Sequence, residues 1–264
     1  MSKWVVYNGG NSEYILSPNK EPIRMLKSFQ KHFGDALDYV YFTDENEPRL
    51  DEVEKLCDEN GIRLMTGQCK IHYEEYKDHQ YINNNSKPRW PDAHYWYCEG
   101  PTYFQGIYDY AIKCDGDMLC VQRFDLEPLQ VENEITAADS PHWYDPYDKF
   151  CANAGFQIMN VNNYATNQVR MLFREGARQS INYRKFNSDT PVLNWLVGHK
   201  TLNVHFIPAE YNYLLFDIEQ VNNLTDEDIK DVKIAHFVDS KPHNLNPQMA
   251  GSVKEKLAQI YLGY

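Results

Sequence analysis

Asp115-Gly116-Asp117 is the segment of this 264-residue sequence with the most direct chemical reading. Two carboxylates flanking a glycine that permits close approach suit a hard divalent cation, Mn²⁺ or Mg²⁺, and such a cation screens a substrate diphosphate. The pair directly follows an apolar run, Tyr110 to Cys114 (YAIKC), that reads as a central strand. That placement stands both acids at the lip of a sheet, where open α/β folds bind ligands. Taken alone, Asp-Gly-Asp is more often an ordinary solvated turn, so the surrounding elements must decide.

Those elements alternate. Trp4 to Tyr7 reads as a first buried strand, ended by Asn8-Gly9-Gly10, residues that tolerate unusual backbone angles. Pro22 opens a helix whose Ile23, Leu26, Phe29 and Phe33 form an apolar stripe. Tyr39 to Phe42 is a second strand; Leu50, Val53, Leu56 and Cys57 mark a second helix that Gly61 terminates; Ile62 to Met65 is a third strand. Such alternation predicts a parallel sheet with crossover helices, the start of a nucleotide-binding half. From Ile82 to Pro101 periodicity fails, and Arg89, Trp90, Trp96 and Tyr97 form either an acceptor platform or a cover over the sheet. Further along, the patterns predict a helix over 169–176, a helix start at Thr225 to Asp228, a strand over 234–238 and an amphipathic helix over 252–262. No repeat or linker divides the chain, so a single domain over residues 1–264 is expected.

Composition narrows the class. Hydrophobic residues make up 42% of the chain, enough for an ordered core. A formal charge of −12 and a pI near 5.2 argue against nucleic acid or anionic membranes as general partners, since both call for clustered Lys and Arg. Six cysteines without a CxxC pair fit reduced, buried thiols. No signal-peptide core and no run of eighteen apolar residues occur, so a cytoplasmic protein with no integral membrane segment is expected; nothing in the sequence sets an oligomeric state.

The stretch YDYAIKCDGDMLCVQRFDLEPL resembles glycosyltransferase family 8, the glycogenin and bacterial lipopolysaccharide galactosyltransferase group, in which an apolar strand leads to Asp-x-Asp and then to a "dL..L" sequence. Further matches follow in family order. Cys151 to Asn160 is similar to the family's "fNaGvmliN" strand and Ser188 to Asn194 to its "DQ..lN" helix start. Phe206 to Tyr213 resembles "lp..yN", and Ile234 to Phe237 with Lys241-Pro242 resembles the closing "iiHf…KPW". Together these span roughly residues 104 to 243.

The resemblance implies a GT-A-type α/β domain with a mixed, mainly parallel central sheet flanked by helices, and transfer of a sugar from a nucleotide-diphosphate sugar. It assigns Asp115, Asp117 and His236 to a divalent ion, with Asp115 also near the donor. Mn²⁺ is favoured over Mg²⁺ because imidazole joins carboxylate more readily on Mn²⁺. Lys241 would meet the diphosphate, and Asn153 and Gly155 would lie beside the donor sugar. Asp189 would be an acid-base or positioning carboxylate, or a helix cap. By position alone, Asn8, Gly9, Gly10 and Tyr14 would surround a nucleoside, uridine favoured. The acceptor hydroxyl has no readable code.

Two departures bear on the reading. Thr190 stands where the family commonly has Gln, and the segment from His236 to His243 lacks the family's Gly and Trp. They motivate one alternative, a carbohydrate-binding protein of this fold without catalysis. A sugar nucleotidyltransferase is the other, although Asn8-Gly9-Gly10 lacks the length and basic residues a triphosphate calls for.

Overall fold

The computed structural model describes residues 2–69, 96–139, 152–180, 189–199, 201–215, 224–237, 241–244 and 250–264. The first part alternates strand and helix as the periodicity predicts. Strand β1 (Trp4–Gly9) leads through the short α1 (Ser12–Ile15) to α2 (Glu21–Phe33), with Pro22 in its first turn. Strand β2 (Asp38–Asp44), helix α3 (Leu50–Glu59) and β3 (Arg63–Gly67) follow. Gly61, with φ of +64°, turns the chain between α3 and β3.

A short helix α4 (Gly100–Phe104) precedes β4 (Tyr110–Cys114), which ends at Asp115. Strands β5 (Met118–Cys120), β6 (Ile135–Asp139) and β7 (Ala152–Asn160) come next, then α5 (Val161–Thr166), α6 (Val169–Ser180) and α7 (Asp189–Gly198). Strands β8 (Val204–Ile207), β9 (Tyr213–Leu214) and β10 (Ile234–His236) precede α8 (Val253–Leu262), which Ser252 caps by accepting from the Glu255 N–H.

The main sheet has the order β3-β2-β1-β4-β7-β6-β8. Its β3-β2-β1-β4 half is parallel, β7 runs antiparallel between β4 and β6, and β8 pairs parallel with β6. Helices lie on both faces. Val5, Tyr7, Val40, Phe42 and Ala111 join one apolar cluster with residues of α4 to α7. Trp4, Val6, Tyr39, Tyr41 and Ile112 join the other with residues of α2 and α3. This period-two split between two covered faces explains why the strands read as continuous apolar runs. A small second sheet, β5-β10-β9, carries its own cluster against α8.

Strand β7 is irregular where it matters. β6 advances only from Ala137 to Asp139 while β7 advances from Gln157 to Ala152, so residues 153–155 bulge out of the ladder. Even-numbered β7 residues accordingly change face. Phe156 and Ile158 lie with one cluster, Ala152 and Ala154 with the other.

Two expectations are corrected. Trp96 and Tyr97 are buried core residues, so of the two roles considered for them the cover over the sheet is the one found; Arg89 and Trp90 lie outside the described residues. Thr225 to Asp228 forms a turn rather than a helix: its side chains make the reciprocal bonds of a helix start, Thr225 N–H to the Asp228 carboxylate and Asp228 N–H to the Thr225 hydroxyl, but the main chain goes on in three-residue turns, from Asp228 N–H to the Thr225 carbonyl and from Lys230 N–H to the Glu227 carbonyl. Cys57, Cys69, Cys98, Cys114 and Cys120 are buried free thiols, and Cys151 lies outside the described residues. Among the described residues no helix is long and apolar enough to cross a membrane.

Gly9 ends β1 against backbone: a Cβ there would stand 2.8 Å from both the N and the Cα of Tyr97. Main chain does not yield as a side-chain tip does. Gly9→Ala is therefore expected to lower stability by about 1–3 kcal/mol through overpacking, read as a lower urea midpoint at unchanged slope.

Candidate metal and donor site

The acidic turn is gripped residue by residue from distant parts of the chain. The Cys114 carbonyl accepts from Asn8 Nδ2 at 2.7 Å, and the Asp115 N–H donates to the Gly155 carbonyl at 2.9 Å. The Gly116 carbonyl accepts from the Tyr261 hydroxyl of α8 at 2.6 Å, and the Asp117 carbonyl from the Phe237 N–H at 3.0 Å. Gly116 packs directly on the Tyr14 hydroxyl and leaves no room for a Cβ. The ladder then continues into β5, which pairs antiparallel with β10 and sets His236 opposite Met118. This register, rather than sequence proximity, brings the imidazole beside the two acids.

His236 Nε2 lies 3.4 Å from Asp117 Oδ1 and 4.0 Å from Asp115 Oδ2. One ligand atom from each of the three side chains falls within 4.8 Å of the others. The other ring nitrogen is fixed by a directed relay. The Gly155 N–H donates to Asn153 Oδ1 at 2.7 Å, so that oxygen is an acceptor and Asn212 must present its Nδ2 to it, at 3.0 Å. Asn212 Oδ1 then faces His236 Nδ1 at 2.9 Å and accepts from it. With the proton on Nδ1, the lone pair of Nε2 points toward the carboxylates, the tautomer a metal-binding histidine uses. Two carboxylate oxygens and one such nitrogen fit a divalent cation, and the residues that would hold it are Asp115, Asp117 and His236.

Two lysines balance the acids. Lys113, 2% exposed, donates to Asp115 Oδ1 and to the Ala154 carbonyl, each at 2.6 Å, and stands 3.6 Å from Asp189 Oδ2 and 4.1 Å from the Tyr97 ring centroid. Burial opposes its charge, but Asp115 and Asp189 outweigh that and hold the ammonium above the usual lysine value. Lys241 donates to Asp117 Oδ2. Burial works against an ionised Asp117 too, yet positive charge on its neighbours, His236 whenever its ring is doubly protonated and Lys241, prevails and keeps this carboxyl below the usual range. Glu21 goes the other way: burial raises its pKa, with Lys241 opposing.

Asn8, Tyr14, Asn153, Gly155 and Asp189, singled out in the sequence, sit around this turn, whereas Gly9 packs on the Tyr97 main chain. Asp189 opens α7, buried, and accepts from the Thr190 N–H at 2.9 Å. Thr190 Oγ1 accepts from the Ala154 N–H at 3.0 Å, and Asn194 exchanges two bonds of 2.9 Å with the main chain of Ala152, so α7 is sewn to the bulge of β7. Asn8 is buried, and its Oδ1 has no partner among the described residues. Tyr14 lies beneath the acidic turn, beside Glu21 and Gly116. Lys113, Glu21 and Tyr261 escaped the sequence reading, and Asn212 entered it only within a matched motif, with no role. A lysine in an otherwise apolar strand, two residues before the acid pair, was the available signal for Lys113.

Gly155 is where the site has least slack, since a Cβ there would lie 2.5 Å from His236 Cε1 and 2.7 Å from Asn153 Oδ1. Gly155→Ala is expected to keep the fold while displacing the imidazole, lowering Mn²⁺ affinity about 10- to 100-fold as judged by the free-Mn²⁺ electron paramagnetic resonance signal.

No protein-family model and no curated protein sequence matches the chain. Solved structures do. The galactosyltransferase LgtC, in complex with donor and acceptor sugar analogs, superposes with a TM-score of 0.65 at 15% identity, covering 98% of this chain and 95% of that one. The glycosyltransferase GlyE of Streptococcus pneumoniae TIGR4 gives 0.62 at 17% identity over 98% of this chain, which spans 61% of GlyE. Mouse xyloside xylosyltransferase 1 gives 0.56 at 13% identity, with 94% and 100% coverage. Three glycosyltransferases thus share one architecture with this chain, and its fold is the GT-A fold of glycosyltransferases.

Proposed function

We propose that this chain is a metal-dependent glycosyltransferase that moves a sugar from a nucleoside-diphosphate sugar, a uridine one favoured, to a hydroxyl acceptor. The observation that carries the reading is the convergence of Asp115, Asp117 and a tautomer-fixed His236 just beyond the β4 strand of a GT-A fold. Departure of a nucleoside diphosphate from an anomeric carbon builds negative charge on phosphate oxygens. A divalent ion, Mn²⁺ favoured by the mixed nitrogen and oxygen donors, supplies Lewis-acid neutralisation of that charge when bound.

The protein's own groups complete the task. Lys241 is a point charge for the diphosphate, released from Asp117 as the anion arrives. Asp189, buried at the N-terminus of α7, positions or exchanges a proton with a sugar hydroxyl. Asn153 acts through Asn212 on His236, and Gly155 keeps the space the ring needs. Asn8 and Tyr14, beside the acidic turn, and Gly9, at the end of β1, line the nucleoside side.

A second reading, a carbohydrate-binding protein without catalysis, has one observation in its favour: Thr190 is committed to the Ala154 N–H. Hydrolysis separates the two. Incubated with uridine-diphosphate hexoses and Mn²⁺, the protein should release uridine diphosphate slowly, and chelation should stop it. Asp117→Ala, with an unchanged circular dichroism spectrum, should lower that rate about a hundredfold or more. Donor-induced thermal stabilisation without hydrolysis, in wild type as in the variant, would favour the binding protein.

A further inference from the structure

We propose that Lys113 is the positioning residue of this site: its buried ammonium turns Asp115 into a one-oxygen ligand and joins it to Asp189. The inference rests on the metal reading of Asp115, Asp117 and His236 and adds to it a residue to which the family resemblance gives no role.

The geometry is specific. Nζ meets Asp115 Oδ1 and the Ala154 carbonyl at 2.6 Å each, while Asp189 Oδ2 stands at 3.6 Å on the other side. An ammonium has three N–H donors, and here all its neighbours are acceptors or a π face. The two carboxylates come from different elements, one from the end of β4 and one from the start of α7. Lys113 is the described side chain that contacts both.

The consequence for Asp115 follows from its two oxygens. Oδ1 is taken by Lys113, and Oδ2 is the one 4.0 Å from His236 Nε2. Asp117 mirrors it, with Oδ2 on Lys241 and Oδ1 at 3.4 Å from Nε2. Each acid thus offers the ion one oxygen and a lysine the other. Only one of the two lysines can leave. Lys241 is partly exposed, whereas Lys113 lies inside the sheet at 2% exposure. We assign to Lys113 the fixed share of this balance: it holds the Asp115 carboxylate in one rotation and lessens the negative charge an arriving cation feels.

The sign of the effect distinguishes this role from mere support of the fold. In Lys113→Gln the amide can still donate to the Ala154 carbonyl, but the positive charge beside Asp115 is gone and both carboxylate oxygens become available. Mn²⁺, titrated by electron paramagnetic resonance without nucleotide, should bind about tenfold tighter or more, although the melting temperature falls. Asp189→Asn should do the reverse. With one of its two carboxylates neutral, Lys113 is held by Asp115 alone, and Mn²⁺ affinity drops. Hydrolysis of the donor at saturating Mn²⁺ should fall in both variants.

Unchanged or weaker Mn²⁺ binding by folded Lys113→Gln would overturn the role of Lys113 while leaving the metal site standing. Should that variant not fold, tighter Mn²⁺ binding by folded Asp189→Asn overturns it equally. Wild-type protein that binds no Mn²⁺, with or without uridine diphosphate, would instead overturn the proposed function.

Discussion

Two carboxylates and a neutral imidazole crowded within 4.8 Å at the edge of a sheet are an unfavourable arrangement unless something offsets the charge. In this protein the offset is built in. Lys113 and Lys241 are each bonded to one carboxylate. Removing either leaves a charge uncompensated, with the larger penalty at Lys113, which is 2% exposed and so less screened by solvent than Lys241. Most of what surrounds the turn serves this placement: the backbone bonds from β1, β7, β10 and α8, the glycine at its centre and the tyrosine beneath it.

The bulge in β7 is the second requirement. A regular ladder would send side chains 153 and 155 to one face in strict alternation and carry the strand past Asp115 without a break. Extra length at 153–155 instead lets the Gly155 carbonyl cap the Asp115 N–H while the Gly155 N–H starts the relay through Asn153 and Asn212 to His236. One glycine thereby bonds to one of the three candidate ligand residues and begins the chain that orients another. Irregular strands next to functional sites commonly re-aim groups in this way.

Much of this was legible in the sequence, for identifiable reasons. Strands β1, β2 and β4 lie between two helical layers, so their apolar runs are uninterrupted and easily found. Asp115, Asp117 and His236 were found because the spacing of acidic turn, strand and Lys-Pro follows a family pattern. Lys113 was passed over because a strand of five residues tolerates one lysine in any ordinary reading; its importance depends on Asp189, 76 positions away, and on the Tyr97 ring. Asn212 carries no local signal either, since its role exists only once β9 and β10 pair beside the β7 bulge. The helix expected after Thr225 failed for the opposite reason. The local signal is present, since Thr225 and Asp228 bond reciprocally as at a helix start, but the main chain beyond them closes only three-residue turns.

Helix α8 gives the turn one more tie, the Tyr261 hydroxyl on the Gly116 carbonyl, between residues 145 positions apart. Contacts of such sequence separation form late, because a long stretch of chain must be ordered before its ends can meet. On the ribosome β1 to β4 emerge well before residue 261, and until then the acidic turn lacks this anchor. A chain synthesised only through β4 thus carries both acids before the bond that holds the middle of their turn can form.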